Sequence, residues 1–341
     1  MRALAWIDAL QNHETIVAGP AGEKIDVVVP WSATSFVRAV GRTIVEDLPR
    51  HMLLGARSWD RALRDQMPFD LAIVVLTRTE PWVRAMLPAR RRILDVIDPA
   101  AASMAERRRA AGRLWRGFWA REERRSAQLE HSVADHYERV AVVAKSDASL
   151  FGAKGATVPI GVEIEPLGDA PREFDYGFTG RLGFFANQEA VRLLLREIWP
   201  RIRAERPAAT LLLAGADAPR WMRAFHGTDG VHVESPMKNR AATLRRVRVA
   251  LLPMTLGSGV SLKALEAAEA GCAIVATACG LRGADALLPI VAIEEDWPQF
   301  ARRAVAVADD RDMGSLLREA VRDHHSRAAA LDAMRMLAEG R

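Results

Sequence analysis

Cysteine is scarce in this 341-residue chain, which contains only Cys272 and Cys279, both within one apolar segment. That scarcity argues against a disulfide framework and against a structural zinc site. The chain also lacks a run of about 20 apolar residues that could span a bilayer. Its N-terminus does not show the charged, apolar and small-residue layout of a signal peptide. We therefore expect a cytoplasmic protein.

The composition is that of a globular protein with anionic partners. Half of the residues are hydrophobic and 27% are charged, which excludes a disordered chain. The length is sufficient for two domains, each with its own core. A sequence pI near 9.7 favours nucleotide phosphates, an acidic membrane surface or nucleic acid as partners.

Short apolar runs alternate with helical patterns along the chain. Strands are predicted at 69–76, 92–98, 139–144, 210–215, 249–253 and 273–277. Continuous runs of β-branched and aliphatic residues are typical of parallel strands that helices cover on both faces. The sequence therefore predicts the α/β class with doubly wound sheets.

A linker with prolines, glycines and acidic residues but no lasting periodicity occupies residues 156–176. It places a domain boundary near residue 165. We predict one domain at 1–164, a second at 165–315, and a C-terminal helical segment at 316–341 that packs back on the first domain.

The most informative stretch is 249–283, which predicts a strand, a glycine-rich turn, a helix from near Val260 and a second strand. Glycines let the backbone approach an anion, and the amino end of a helix offers partial positive charge to a phosphate. Lys263 adds a full charge, and Glu266 on the same face can accept hydrogen bonds from two vicinal hydroxyls. The alternative is an ordinary strand-turn-helix unit whose glycines only make the turn.

The run G-S-G-V-S-L-K-A-L-E-A-A-E-A-G-C-A-I-V-A-T within this stretch resembles the donor-binding segment of GT-B-fold glycosyltransferases, particularly family 4. The family pattern is G-x-G-x-x-x-K-x-x-E-A-x-A-x-G-x-P-V-V-A-T. The resemblance implies two Rossmann-like doubly wound domains facing a cleft. It also implies transfer of a sugar from a nucleoside-diphosphate sugar, UDP- or GDP-linked, with no cofactor.

The resemblance assigns roles to individual residues. The donor-binding residues that it implies are Gly180, Arg181, Glu234, Pro236, Gly257, Ser258, Gly259, Val260, Lys263 and Glu266. Lys263 and Arg181 are also expected to act in catalysis, together with Asp98. For Arg181 the alternative is a solvated loop arginine.

Asp98 ends a predicted strand, and ligands of open α/β sheets bind outside the carboxyl ends of strands. We expect it to act as a general base on an acceptor hydroxyl or to hold a hydroxyl of the donor sugar. The alternative is that Asp98 caps or turns the chain before the helix that follows Pro99.

Residues 105–131 are predicted to form one long basic helix. Leu114, Trp115, Phe118 and Trp119 lie on one face, with arginines around them. That pattern is typical of helices that lie in anionic lipid headgroups, and peripheral contact with the inner face of the plasma membrane is expected. The alternative is a core-facing helix with a solvated arginine face. Nucleic-acid binding is disfavoured because no reader motif accompanies the basic run.

No metal site is expected. The Asp-x-Asp run at 310–312 follows no strand, and His324 and His325 diverge by about 100° on a helix. Lys263, Arg181 and the helix dipole would then neutralise the leaving diphosphate.

Departures from the family include a missing first strand, Ser258 in place of a glutamate, and Asn187 in place of a basic residue. Subgroups with a G-x-G turn in place of that glutamate look like exopolysaccharide and capsule enzymes.

We therefore expect a retaining, metal-independent, hexosyltransferase-type enzyme of cell-surface polysaccharide biosynthesis, acting on a glycan or lipid-linked acceptor. The alternative is a degenerate GT-B protein that binds nucleotide or glycan without turnover. A nucleotide-sugar epimerase of the same fold is a further alternative.

Overall fold

The structure is a computed structural model of the chain in which two compact units are distinct. It describes residues 2–13, 18–19, 27–28, 33–55, 57, 59, 69–86, 89–168, 171–257, 259–291, 293–310 and 312–341. Unit 1 comprises Met1–Pro159 and Ala330–Arg341, and unit 2 comprises Ile160–Ala329. The change from one unit to the other falls within the linker predicted over 156–176.

Unit 1 is an α/β unit with a parallel sheet. Its strands are β1 (Ala18–Gly19), β2 (Val27–Val28), β3 (Phe69–Val75), β4 (Ala89–Ile97), β5 (Arg139–Val142) and β6 (Gly155–Thr157). Its helices are α1 (Arg2–Ala9), α2 (Ala33–Val45), α3 (Glu80–Val83), α4 (Ala100–Ala110), α5 (Arg116–Val133) and α6 (Lys145–Ala148). Strands β3 to β6 pair in parallel in chain order, and β1 pairs with β2 in a separate parallel pair.

The sheet of unit 1 is covered on both faces because most of the second half of β4 and of β5 is apolar and buried. Leu94 and Val96 of β4 pack in one cluster with Leu129 and Val133 of α5. The other face, which includes Ile93, forms a second cluster; its buried members are Trp6, Ala9, Ile93, Ala141, Val158, Met334, Leu337 and Ala338. The N-terminal helix and the C-terminal residues thus complete the same layer.

Unit 2 has the larger core of the two described units. Its strands are β7 (Phe174–Thr179), β8 (Leu211–Ala214), β9 (Val231–Glu234), β10 (Val247–Leu252) and β11 (Ala273–Ala276). Its helices are α7 (Phe185–Leu193), α8 (Trp199–Glu205), α9 (Arg220–Arg223), α10 (Arg240–Arg245), α11 (Leu262–Glu269), α12 (Trp297–Val307) and α13 (Met313–His325), and α14 (Arg327–Glu339) begins in unit 2 and continues into unit 1.

The strand order of unit 2 is β11-β10-β7-β8-β9, and all neighbouring strands are parallel. The chain order reverses between β7 and β10. Ligands of open α/β sheets bind outside the carboxyl ends of the strands at such a switch point. The predicted α/β class with parallel sheets is confirmed, and the candidate site must be sought where β7 and β10 end.

Two helix predictions are wrong. Residues 105–131 do not form one helix, because the chain turns at residues 111–115 and α4 packs against α5. The C-terminal helical segment predicted at 316–341 is not one helix either, because it is divided at Ser326, between α13 and α14. In the part of the chain that the structure describes, no helix is both long and apolar enough to cross a membrane.

Candidate functional site

The end of β7 meets the start of α11 at Gly180. This glycine has a φ of +152°, and its amide donates a hydrogen bond to the carbonyl oxygen of Ala214 at the end of β8. A Cβ atom at Gly180 would lie 2.9 Å from Cε of Lys263 and 3.0 Å from Nδ2 of Asn187. Glycine is therefore needed at this position because the Lys263 side chain passes directly over the backbone.

Helix α11 begins at Leu262, two residues after the predicted start. Ser261 occupies its N-cap position, and its side chain makes no capping hydrogen bond. The turn before it is shaped by Gly259, whose φ of +79° favours glycine, and by Val260, which packs on the backbone of Gly283. The amides of Ser261, Leu262 and Ala264 already donate to the carbonyl oxygens of Arg282, Val260 and Ser261, so this helix end offers an anion mainly the partial positive charge of the helix dipole.

Lys263 is the cation at this helix end. Its side chain is half-buried, and burial lowers its pKa, while the nearby Glu266 and Cys279 act in the opposite direction. Within the described part of the chain its ammonium group makes no salt bridge. A half-buried cation without a paired carboxylate is poised to receive an anionic ligand.

Glu266 lies on α11 with 22% of its side chain exposed, and it forms a hydrogen-bonded ion pair with Arg240 at the start of α10. Burial raises the pKa of Glu266, and Arg240 and Lys263 oppose that rise. The sequence did not indicate Arg240 as a site residue. Asn239 is a residue type that favours helix starts, and its side chain caps α10 by accepting from the amide of Ala242. This local signal does not indicate that Arg240 pairs with Glu266.

Arg181 follows Gly180 but points into solvent. Its side chain is 74% exposed and pairs with Asp217, with 2.7 Å between Nε and Oδ2. Asn187, in contrast, is buried, and its Nδ2 donates to the carbonyl oxygen of Arg181 at 2.8 Å. The side-chain amide of Asn187 therefore fixes the loop after β7. The guanidinium of Arg181 can turn towards a ligand only if its ion pair with Asp217 breaks.

Glu234 and Pro236, which the resemblance assigned to donor binding, lie at the end of β9 and in the loop after it. Glu234 is engaged with Arg246, with 2.8 Å between its carboxylate and Nη1. Pro236 is exposed, and Oγ of Ser235 accepts a hydrogen bond from the amide of Ala218 at 3.2 Å. Glu234 ends β9, the edge strand that β8 separates from β7, and its charge is paired with Arg246.

Gly257 lies beside Cys279, since a Cβ added there would lie 3.4 Å from the cysteine Sγ. This places the turn after β10 against the residues that follow β11. Cys279 also lies near Lys263 and was not predicted as a site residue. Ser258, predicted to contact the donor sugar, lies outside the residues that the structure describes.

Asp98 belongs to unit 1, at the carboxyl end of β4. Its amide donates to the carbonyl oxygen of Val96 at 2.9 Å, after Ile97 with a φ of +65°. The N-cap position of α4 is Pro99, and the first amides of that helix donate to the buried carboxylate of Glu130. The backbone thus turns at Asp98, and Glu130 accepts the hydrogen bonds of the first amides of α4.

The structure of unit 2 brings together an uncapped helix end, a half-buried ammonium and a carboxylate. Gly180, Gly259, Val260, Lys263 and Glu266 form this group, which we call the helix-end site. Its helix dipole and ammonium suit a diphosphate, and the carboxylate, about one helical turn further, suits the hydroxyls of an attached ribose.

Comparison with known proteins agrees with that chemistry. Residues 173–310 match the family described as "Glycosyl transferases group 1". This match contains the whole helix-end site and most of unit 2. No curated protein matches the chain.

Solved structures with similar folds include a UDP-forming α,α-trehalose-phosphate synthase from Burkholderia xenovorans, at a TM-score of 0.66 and 14% identity, covering 99% of this chain and 97% of that one. The Anabaena protein Alr3699/HepE, solved with UDP-glucose, gives 0.62 at 10% identity and covers 100% and 95%. A variant of TarM from S. aureus, solved with UDP, gives 0.58 at 11% identity and covers 76% of this chain. The chain spans about half the length of the TarM structures, 54% and 53%.

Proposed function

We propose that the chain transfers a sugar from a nucleoside-diphosphate sugar, because residues 173–310 match the group 1 glycosyltransferase family and the chain shares the GT-B fold. The observation that carries the proposal is the helix-end site. There, Lys263 stands unpaired among the described residues beside an uncapped helix end at the switch point of unit 2. The nucleotides named with HepE and TarM support the same class of donor.

Each part of the donor has a proposed place. The diphosphate contacts the backbone around Gly180 and the first turn of α11, the turn at Gly257 to Val260 borders the sugar, and Glu266 accepts the ribose hydroxyls. The backbone of the loop with Pro236 contacts the nucleobase. As the glycosidic bond to the diphosphate breaks, negative charge accumulates on the leaving phosphate. Lys263 and the helix dipole stabilise this charge, and Arg181 adds to them once it leaves Asp217.

Further features of the reaction are proposals that rest on the family resemblance. Retention of stereochemistry, independence of a metal ion, and a glycan or lipid-linked acceptor in cell-surface polysaccharide synthesis follow from it. Asp98 of unit 1 is the proposed residue for an acceptor or donor-sugar hydroxyl.

A ligand screen tests the proposal directly. We expect UDP or GDP to raise the melting temperature of the full chain more than ADP or CMP does, because a ligand that binds only the folded state stabilises it. With the matching nucleotide-sugar, free UDP or GDP should then be released by slow donor hydrolysis, also in the presence of EDTA. Binding without release would support the degenerate alternative, and no binding of any nucleotide would contradict the proposal.

We also propose that unit 1 touches an anionic membrane through the turn between α4 and α5, which we call the hairpin tip (residues 111–115). Leu114 is 95% exposed and Trp115 is 63% exposed at this tip. Exposed arginines lie around them, among them Arg109, Arg113 and Arg116. Apolar side chains that enter the headgroup layer, surrounded by cations, bind anionic lipid. The other half of the predicted basic helix is core-facing, as Leu129 and Val133 show.

The Leu114→Ser, Trp115→Ser double variant should bind vesicles of phosphatidylglycerol and phosphatidylcholine at least about 10-fold more weakly than the wild type, because two apolar side chains are removed from the lipid contact. Flotation at low salt measures this. Leu150→Ser is the control, since Leu150 is 56% exposed elsewhere on unit 1. Absence of wild-type binding, or equal loss in the control, would contradict the membrane contact.

A further inference from the structure

Arg240 holds a position that links two parts of unit 2. It is the first residue of α10, directly after the loop that follows β9, and its Nη1 bonds to Oε1 of Glu266 on α11. Its backbone is fixed by Asn239, whose side chain accepts from the amide of Ala242 at 2.9 Å and whose carbonyl accepts from Oγ1 of Thr243 at 2.7 Å. The guanidinium therefore extends from a well-anchored helix start.

The ion pair leaves part of the Glu266 carboxylate available. Arg240 engages Oε1, and among the described residues none donates a hydrogen bond to Oε2. A carboxylate oxygen can accept two hydrogen bonds, so both oxygens retain acceptor capacity. Since 51% of the Arg240 side chain and 22% of the Glu266 side chain are exposed, a ligand can reach the carboxylate without displacing the arginine.

We propose that Arg240 is a positioning residue, which fixes the Glu266 carboxylate in its ionised form so that it accepts hydrogen bonds from the ribose hydroxyls of the nucleotide. The inference rests on the proposed function, because it assumes a nucleotide in the helix-end site. It assigns to the start of α10 a role in recognising the sugar of the nucleotide.

The charges around Glu266 support this role. Burial raises the pKa of Glu266, and the charged groups that oppose the rise are Arg240 from α10 and Lys263 from α11. Lys263 is needed for the diphosphate and itself has a pKa lowered by burial. Without Arg240, the pKa of Glu266 would rise further.

The test compares the dissociation constants of UDP or GDP with those of the 2′-deoxy counterparts. In the wild type we expect the ribonucleotide to bind at least about 10-fold more tightly, since a hydrogen bond to a charged group is lost in the deoxy form. This ratio should stay nearly constant from pH 8 to pH 6. In Arg240→Met the ratio should fall towards 1 at pH 6 and recover in part at pH 8.

Three further variants keep the result interpretable. Arg240→Lys, which keeps the charge, should restore part of the ratio at pH 6, and Glu266→Gln should give a low ratio at every pH. Arg201→Met removes an exposed ion pair with Glu197 on a distant helix face and should match the wild type. If the wild type binds neither UDP nor GDP, the proposed function itself is contradicted. A wild type that binds without discriminating the deoxy form, or an Arg240→Met ratio equal to the wild-type ratio at both pH values, overturns this inference alone.

Discussion

Replacing Lys263 by Met is expected to reduce nucleotide-sugar turnover by about 100-fold or more, the usual effect of removing a preorganised group that stabilises developing charge. The side chain passes over Gly180 and ends beside the uncapped start of α11, so no other described lysine can take its place. Methionine keeps the apolar stem that covers Gly180 and removes only the ammonium. Release of UDP or GDP from the donor identified in the ligand screen measures the effect.

The same variant should not be less stable than the wild type without ligand. Burial lowers the pKa of Lys263 below its value in the unfolded chain, so the folded state binds fewer protons in the interval between these two pKa values. Stability therefore rises with pH across that interval, and at neutral pH the buried charge is a cost that the variant removes. We expect an equal or higher melting temperature at pH 7. Lys145→Met, on an exposed helix of unit 1, is the control for loss of one charge. Turnover above about a tenth of the wild-type value would refute the assigned role of Lys263.

Replacing Asp95 by Ala is expected to destabilise unit 1 by about 3–5 kcal/mol, the typical cost of removing one partner of a buried ion pair. Its side chain is fully buried and accepts from Nε of Arg2 at 2.7 Å and Nε1 of Trp6 at 2.6 Å. It also accepts from the amide of Ile97 at 3.2 Å. Without it, the guanidinium of Arg2 and the indole N–H of Trp6 lose their carboxylate partner inside the unit.

Asp70→Ala is a matched control for Asp95→Ala because Asp70 lies on the neighbouring strand β3. Its carboxylate is 94% exposed and is 3.7 Å from Arg90, so its loss should change stability by no more than about 0.5 kcal/mol. Differential scanning calorimetry of the full chain should show a transition at least about 6 °C lower for Asp95→Ala alone. Equal melting temperatures for the two variants would show that the Arg2–Asp95–Trp6 contacts do not stabilise unit 1.

Much of the α/β framework was predictable because its parallel strands are buried on both faces. A strand of that kind reads as a nearly continuous apolar run, so it is visible without its neighbours. The run predicted at 69–76 is β3 at Phe69–Val75, and the run predicted at 273–277 is β11 at Ala273–Ala276. The glycine-rich turn and Lys263 were visible for a different reason, since their spacing lies within one local segment.

The errors and omissions arise where distant parts of the chain decide the structure. Residues 111–115 continue a charged helical pattern, and the chain turns there because α4 packs back on α5. The first amide of α4 donates to Glu130, which lies 30 residues further along the chain. Arg240 reaches Glu266 across a similar separation. Such pairings have no local signature, so a single sequence does not reveal them.

The packing of the C-terminal residues on the sheet of unit 1 affects the order in which the two units can fold during synthesis. Met334, Leu337 and Ala338 pack with Trp6 and Ile93, yet they emerge from the ribosome only after all of unit 2 has been made. During synthesis, this apolar face of unit 1 therefore stays uncovered while unit 2 can already fold. Domains usually complete their folding from the N-terminus onward, and here that order is reversed. For the same reason, an expression fragment that stops at Pro159 would lack part of the hydrophobic core of unit 1. Fusing residues 330–341 to it would supply the missing residues.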